Sequence, residues 1–149
     1  IMTTQLLFPG MGEEIRFSRG IKPKYLLTVN QGWAHPEPWG IWSEGTQAQI
    51  IFGIPQGHPK SLTLTMRAFV TPQHPTQEFA LWVNGSHLQD VVLRKDSQNQ
   101  LTIPITQAMI DHGALNIEFK FQNPARPKDF GLGDDDRLLA IGLESAVFR

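Results

Sequence analysis

Through most of this chain apolar residues return at every second position, and almost nowhere at every third or fourth. That spacing places successive side chains on opposite faces of an extended strand, and it rules out a predominantly helical fold. Leu62, Leu64, Met66 and Ala68 alternate with Thr63, Thr65 and Arg67 within 61–70. Phe79, Leu81 and Val83 share one face of 78–83, with Trp82 on the other. Leu101, Ile103 and Ile105 alternate with Thr102 and Pro104, and Leu115, Ile117, Phe119 and Phe121 with Asn116, Glu118 and Lys120. Leu139, Ile141, Leu143, Ser145 and Val147 predict a last strand in one unbroken register. Segments 13–18, 25–29 and 47–54 are further candidates.

Turn chemistry separates these runs. Asn84-Gly85, between 81–83 and 88–93, predicts a two-residue hairpin in which both corner residues take positive φ. Thr106 and Gly113 bracket one short helix over 107–112 as N-cap and stop. Roughly eight to ten short strands with a single helical turn predict an all-β fold, an antiparallel β-sandwich of the jelly-roll type with one short helix. A closed barrel is the alternative. The 149 residues suit a single domain over 1–149. Ile1 precedes Met2, so the sequence reads as a fragment of a longer protein, with any targeting or catalytic portion elsewhere.

Composition removes several functions. The net charge is −1 and the cations are scattered, so no basic field favours nucleic acid or an anionic membrane surface. No apolar run approaches the roughly 20 residues of a membrane-spanning helix. Without cysteine there is no disulfide, thiolate or cysteine-ligated zinc chemistry. No two of the five histidines have zinc-site spacing. There is no Gly-x-Ser-x-Gly elbow, and Gly131-Leu132-Gly133 does not lead into a helix as a phosphate-binding loop must.

What remains is a concentration of aromatics and acids. Trp33, Trp39 and Trp42 fall between Gly32 and Gly45, together with Glu37, Glu44, His35 and two prolines. Indole faces stack on the C–H groups of sugar rings, and carboxylates take hydrogen bonds from hydroxyls. If 39–44 is extended, Trp42 and Glu44 share one face while Trp39, Ile41 and Ser43 share the other. The alternative is that all three rings pack between a sheet and a loop. A long irregular loop, 122–137, ends in Asp134, Asp135, Asp136 and Arg137. Loops of that length in compact domains are usually functional or disordered. Its acids admit three roles: an ion pair between Arg137 and Glu37 or Glu44, general acid–base chemistry in a small glycosidase or lyase, and a calcium site at Asp134 and Asp136. The triplet lacks the spaced Asp-x-Asp-x-Asp-Gly pattern.

Two anchors carry a family resemblance: Gly-Trp-x-x-Pro-Glu-x-Trp-Gly-x-Trp-Ser-x-Gly at 32–45, and Asn123-Pro124 together with Asp135, Arg137, Leu139, Ile141 and Leu143. Val-Asn-Gly at 83–85 lies between them. Over about residues 13–148 the chain resembles the C-terminal β-sandwich domain of bacterial envelope-glycan enzymes, such as phosphoglycerol transferases and surface-polysaccharide glycosyltransferases. The resemblance implies a non-catalytic, sugar-recognising or substrate-positioning module in the periplasm or cell envelope, covalently linked to a catalytic domain and partnered by a glycan. No cofactor is expected, calcium apart. Trp33, Glu37, Trp39, Trp42, Glu44 and Asn84 are then the candidate sugar-binding residues, with Asp135 and Arg137 as a bracing ion pair. A structural or docking domain, with Trp82 at the docking face, is the competing reading.

Overall fold

The alternating runs form two antiparallel sheets packed face to face. A computed structural model describes residues 9–20 and 29–149 of the chain. The first sheet contains β1 (Ile15–Arg16), β3 (Ile41–Trp42), β5 (Ser61–Ala68), β8 (Asn99–Pro104) and β10 (Ile141–Phe148). Its order is β1-β10-β5-β8, and β3 lies beside β1 along the same edge of β10. The second sheet runs β2-β4-β9-β6-β7, from β2 (Val29–Gln31), β4 (Gln47–Gly53), β9 (Ala114–Phe121), β6 (Gln77–Val83) and β7 (Ser86–Leu93). The architecture is a sandwich, with two distinct sheets instead of a closed barrel. Of the candidate strand 25–29, residues 25–28 lie outside the described residues.

Outside the last strand, the alternations bury the faces they predict. Leu62, Leu64 and Met66 of β5 and Leu115, Ile117 and Phe119 of β9 are fully enclosed. Phe52 meets Phe148 across the two layers edge to face at 5.6 Å, and within the second sheet Phe79 meets Phe119 at 5.5 Å. A fully buried side chain of this size contributes about 2–3 kcal/mol of transfer free energy. Asn84 has φ +50° and Gly85 φ +82°, as the hairpin requires. The short helix α1 (Gln107–His112) starts on the Thr106 cap, whose hydroxyl accepts from the Met109 amide, and ends at left-handed Gly113.

The last strand departs from expectation. A bulge between Leu143 and Ser145 inserts one residue into β10. Downstream of it the register inverts, so Ala146 and Phe148 are buried and Ser145 and Val147 turn outward. A one-residue slip exchanges the two faces of a strand. The bulge residue, Glu144, points outward and pairs with Arg67 at 3.7 Å.

Connections sort by end of the sandwich. The links 43–46, 69–76, 94–98 and 122–140 join the two sheets at one end, while the Asn84-Gly85 turn and α1 lie at the other. Among the described residues no helix is long and apolar enough to cross a membrane.

Candidate functional site

The tryptophan segment is a hairpin that docks on the end of the sandwich. Trp33 bridges to Ser43, and the Ala34 amide donates to the Trp42 carbonyl at 2.9 Å. Pro38 and Trp39 form its corner, closed by reciprocal backbone bonds between Glu37 and Gly40. Two glycines let the hairpin approach the sheets. A Cβ on Gly32 would collide with the Gln47 carbonyl oxygen, and one on Gly40 with that of Leu143. Ser43 locks the hairpin inside the fold: its fully buried hydroxyl accepts the amides of Ala140 and Ile141 at 3.3 and 3.0 Å.

The corner changes where the indoles go. Trp39 does not share a face with Ile41 and Ser43. Because it sits on a turn and not an extended strand, it folds back over the outer face of the first sheet. There it packs edge to face on Trp42 at 5.1 Å, over Gly142, with the Arg67 guanidinium 4.0 Å from its ring. A Cβ on Gly142 would meet the Trp39 ring at 2.6 Å. Trp39 and Trp42 therefore close a lid over Gly142. Trp33 points toward the interior instead. Its Nε1–H donates to the Gln49 carbonyl at 2.9 Å and its ring meets Phe119 edge to face at 6.2 Å.

The Asp–Arg segment and the tryptophan hairpin, distant in sequence, meet here. Gly45 donates to the Leu138 carbonyl and Ser43 to that of Ile141. Arg137 is held by Asp135 through a fork: Nε to Oδ1 at 2.9 Å and Nη2 to Oδ2 at 2.7 Å, while Oδ1 also accepts the Arg137 amide at 3.0 Å. Its Nη1 is left facing Glu37 at 3.9 Å. Hydrogen bonds from Arg137 hold the Asp135 carboxyl below the ordinary aspartate range against the opposing effect of burial. The same fork raises the pKa of Arg137, with smaller contributions from Glu37 and Glu44. The expected ion pair to Glu37 is thus present at long range, and Asp135 is the principal partner. One Glu37 oxygen, Oε2, is shielded from solvent and has no hydrogen-bond partner among the described residues. A cleft of about 240 Å³ opens beside this arrangement, lined by Trp33, Ala34, His35, Glu44 and Arg137.

Asn84 is not part of this cleft. It lies at the Ala114 end of β9, with Thr46 and the hairpin at the Phe121 end, so a strand of eight residues separates them. Its amide is committed to backbone, donating to Ala114 at 3.1 Å and accepting from Asn116 at 2.8 Å. Asp134 and Asp136 are exposed, and Asp135 is occupied by Arg137. Among the described residues no three carboxylate or imidazole side chains converge as metal ligands. Loop 122–137 is ordered by its own contacts. Asn123 accepts from Glu78 and Gln77 and donates to Thr76. A 3-10 turn over Pro127–Phe130 places Phe130 on Phe69 and His74.

The residues that sequence reasoning missed are Gly142, Arg67 and His35. Gly142 had a readable signal, since an interior strand glycine often marks a close approach by another group.

Solved structures share this architecture at low identity. An acetyl xylan esterase, Est2A, from Butyrivibrio proteoclasticus superimposes with a TM-score of 0.55 and 9% identity, over 91% of this chain and 32% of its own. A family two carbohydrate esterase from Clostridium thermocellum, in complex with cellohexaose, gives 0.51 and 12%, over 81% and 30%. A carbohydrate-binding module, CBM36, in complex with calcium and xylotriose gives 0.48 and 11%, over 92% and 99%. This chain spans about a third of the length of either esterase. No curated protein matches it. The chain belongs to the family described as a domain of unknown function, DUF7024, whose model matches residues 9–147.

Proposed function

We propose that this domain is a non-catalytic carbohydrate-binding module of a bacterial envelope-glycan enzyme, working in the periplasm or cell envelope, and that the Trp33 cleft holds the sugar. The observation that carries this is the pinned guanidinium of Arg137 beside Trp33 and Glu44. A sugar hydroxyl both donates and accepts. Arg137 can only donate and an ionised Glu44 only accepts, so the pair matches neighbouring hydroxyls. The Asp135 fork fixes the donor before ligand arrives, which lowers the ordering cost of binding. The fold shared with polysaccharide esterases, one of them solved with cellohexaose, supports the reading.

Asp135, committed to the Arg137 fork, is not a free general acid. Affinity from such a site is weak, because each hydroxyl exchanges water for protein at a net gain of about 0.5–1.5 kcal/mol. The test is an NMR titration with gluco-, xylo- and galacto-oligosaccharides. The Trp33 Nε1–H and the amides of 32–35 shift with one of these series, Glu44→Gln weakens binding about fivefold, and the Trp39 and Trp42 resonances stay put. No shift in the cleft with any series, or shifts confined to Trp39 and Trp42, defeats the proposal.

A docking role for the outer face of the second sheet is the second reading. Leu88 and Val92 are exposed there, and the Trp82 Nε1–H is shielded without an acceptor. It predicts that Trp82→Ala weakens association with the catalytic portion of the longer protein and leaves glycan shifts unchanged.

A further inference from the structure

A second cleft, of about 460 Å³, opens at the same end of the sandwich. One wall is Val70, Pro72 and Pro75 from the link 69–76, and the other carries Arg94, Lys95 and Ser97 from the link 94–98. Both walls are built rather than loose. Asn99, only 6% exposed, donates its side-chain amide to the carbonyls of Met66 and Lys95 at 3.2 and 2.9 Å. The Asp96 carbonyl accepts the Ala68 amide at 3.1 Å, and Gln98 takes the left-handed φ of +58° that turns the chain into β8. Opposite, reciprocal backbone bonds close the turn from Thr71 to His74, and His74 is held between Phe69 and Phe130.

Charge distinguishes the two clefts. Glu37, Glu44 and Asp135 surround the single cation of the first. The second presents Arg94 and Lys95 against one acid, Asp96. Among the described residues neither cation has a carboxylate partner; the Lys95 ammonium reaches only the Gln98 carbonyl, at 3.5 Å. Two neighbouring exposed cations attract an oxyanion, with a strength that falls as salt rises. Loop 122–140 joins the sites: Arg137 bounds the first, and Phe130 packs against the residues that flank the second.

The geometry points to a subsite for an oxyanion, a phosphate ester or a carboxylate, carried by the glycan whose neutral sugar occupies the Trp33 cleft. This rests on the carbohydrate-binding reading. The acids of the first cleft repel an anionic substituent and the cations of the second draw it in, so the charge pattern sets the direction in which a decorated glycan lies across this end.

The test is a 15N-resolved NMR titration of the 149-residue chain with glucose, glucose 6-phosphate, glucuronate and inorganic phosphate, and with sodium chloride at matched ionic strength as the control. The amides of 94–98 and 71–73 shift with glucose 6-phosphate or glucuronate and not with glucose, and the stronger of the two identifies the group. The double variant Arg94→Gln, Lys95→Gln weakens that binding about tenfold and leaves the glucose-induced shift of the Trp33 Nε1–H unchanged. Absence of shifts at 94–98, or equal shifts with chloride, overturns the subsite. Inorganic phosphate binding as tightly as the sugar phosphate overturns its assignment to a glycan. The Trp33 resonance reports separately on the first cleft, so failure of the subsite and failure of the carbohydrate reading are told apart in one data set.

Discussion

Two tryptophans on opposite outer faces of the sandwich stand under a cation at the same distance. The Arg67 guanidinium lies 4.0 Å from the Trp39 ring, and the Lys120 ammonium 4.0 Å from that of Trp82. Their surroundings differ. Trp39 fills the space that Gly142 leaves, packs on Trp42 and caps a hairpin that is hydrogen-bonded into the first sheet. Trp82 lies on β6 opposite Glu118, at a register shift in the pairing with β7, touches His87 edge to face at 5.5 Å and has no acceptor for its Nε1–H among the described residues. A cation–π contact by itself is worth about 0.5–1 kcal/mol at a surface site. What separates the two is therefore the packing beneath the ring, and an aromatic–cation pair alone identifies neither a latch nor a binding site.

Truncation gives the largest contrast. Trp39→Ala removes the ring over Gly142 and frees the hairpin corner, for a loss of about 3 kcal/mol in chemical denaturation. Trp82→Ala costs about 1 kcal/mol, because the ring it removes carries an unpaired donor along with its apolar surface. Equal losses would erase the distinction. Gly142→Ala sharpens it from the other side. Its Cβ must push the Trp39 ring away from 2.6 Å, at a cost of about 2 kcal/mol, and the Trp39 and Trp42 resonances shift while that of Trp82 does not. A Gly142→Ala protein of unchanged stability would mean that the indole lid does not rest on Gly142. Smaller still are the cations. Arg67→Met and Lys120→Met each cost about 0.5–1 kcal/mol, and the Arg67 effect is the larger, since that side chain also pairs with Glu144.

The same contrast shows what could be read from the sequence. The sheets were legible because period two is a local signal that burial enforces on every strand, as in Leu62–Ala68 and Leu115–Phe121. The bulge at Glu144 was not, because a single inserted residue leaves the apolar pattern of 139–143 intact and shifts only the positions downstream of it. The meeting of Arg137 with the tryptophan hairpin was anticipated, since opposite charge and aromatic clustering suggested it. Which indole lines the cleft was not. Alternation fails at a turn, and Pro38 placed Trp39 on a corner from which it swings to the first sheet, leaving Trp33 at the cleft. Asn84 was read correctly as a turn residue and wrongly as a neighbour of the site, because hairpin chemistry is local while the end of the sandwich it occupies depends on topology.

The finest discrimination comes from the Asp135–Arg137 fork, which lies on the hairpin side. Arg137 holds the Asp135 carboxyl below the ordinary aspartate value of about 3.9. A carboxyl whose folded-state pKa is depressed contributes stability above its unfolded-state value, and that contribution is lost as pH falls through the folded-state value. The fork is about a third exposed, so solvent screening keeps the contribution under about 1 kcal/mol. Asp135→Asn is accordingly less stable than the parent at pH 7, and the difference shrinks as pH falls below the ordinary aspartate value and through the lowered folded-state one. As Asp135 protonates, Arg137 loses its main anchor and its hold on Glu37 loosens, so the Trp33, Trp39 and Trp42 resonances respond. Trp82 lies against His87 and opposite Glu118, so the comparison is made with Asp135→Asn: the part of each acid response that this variant abolishes belongs to the fork, and Trp82 has no such part. A Trp82 response abolished by Asp135→Asn would mean the two faces are coupled through the core, and the separation between latch and surface ring would fail.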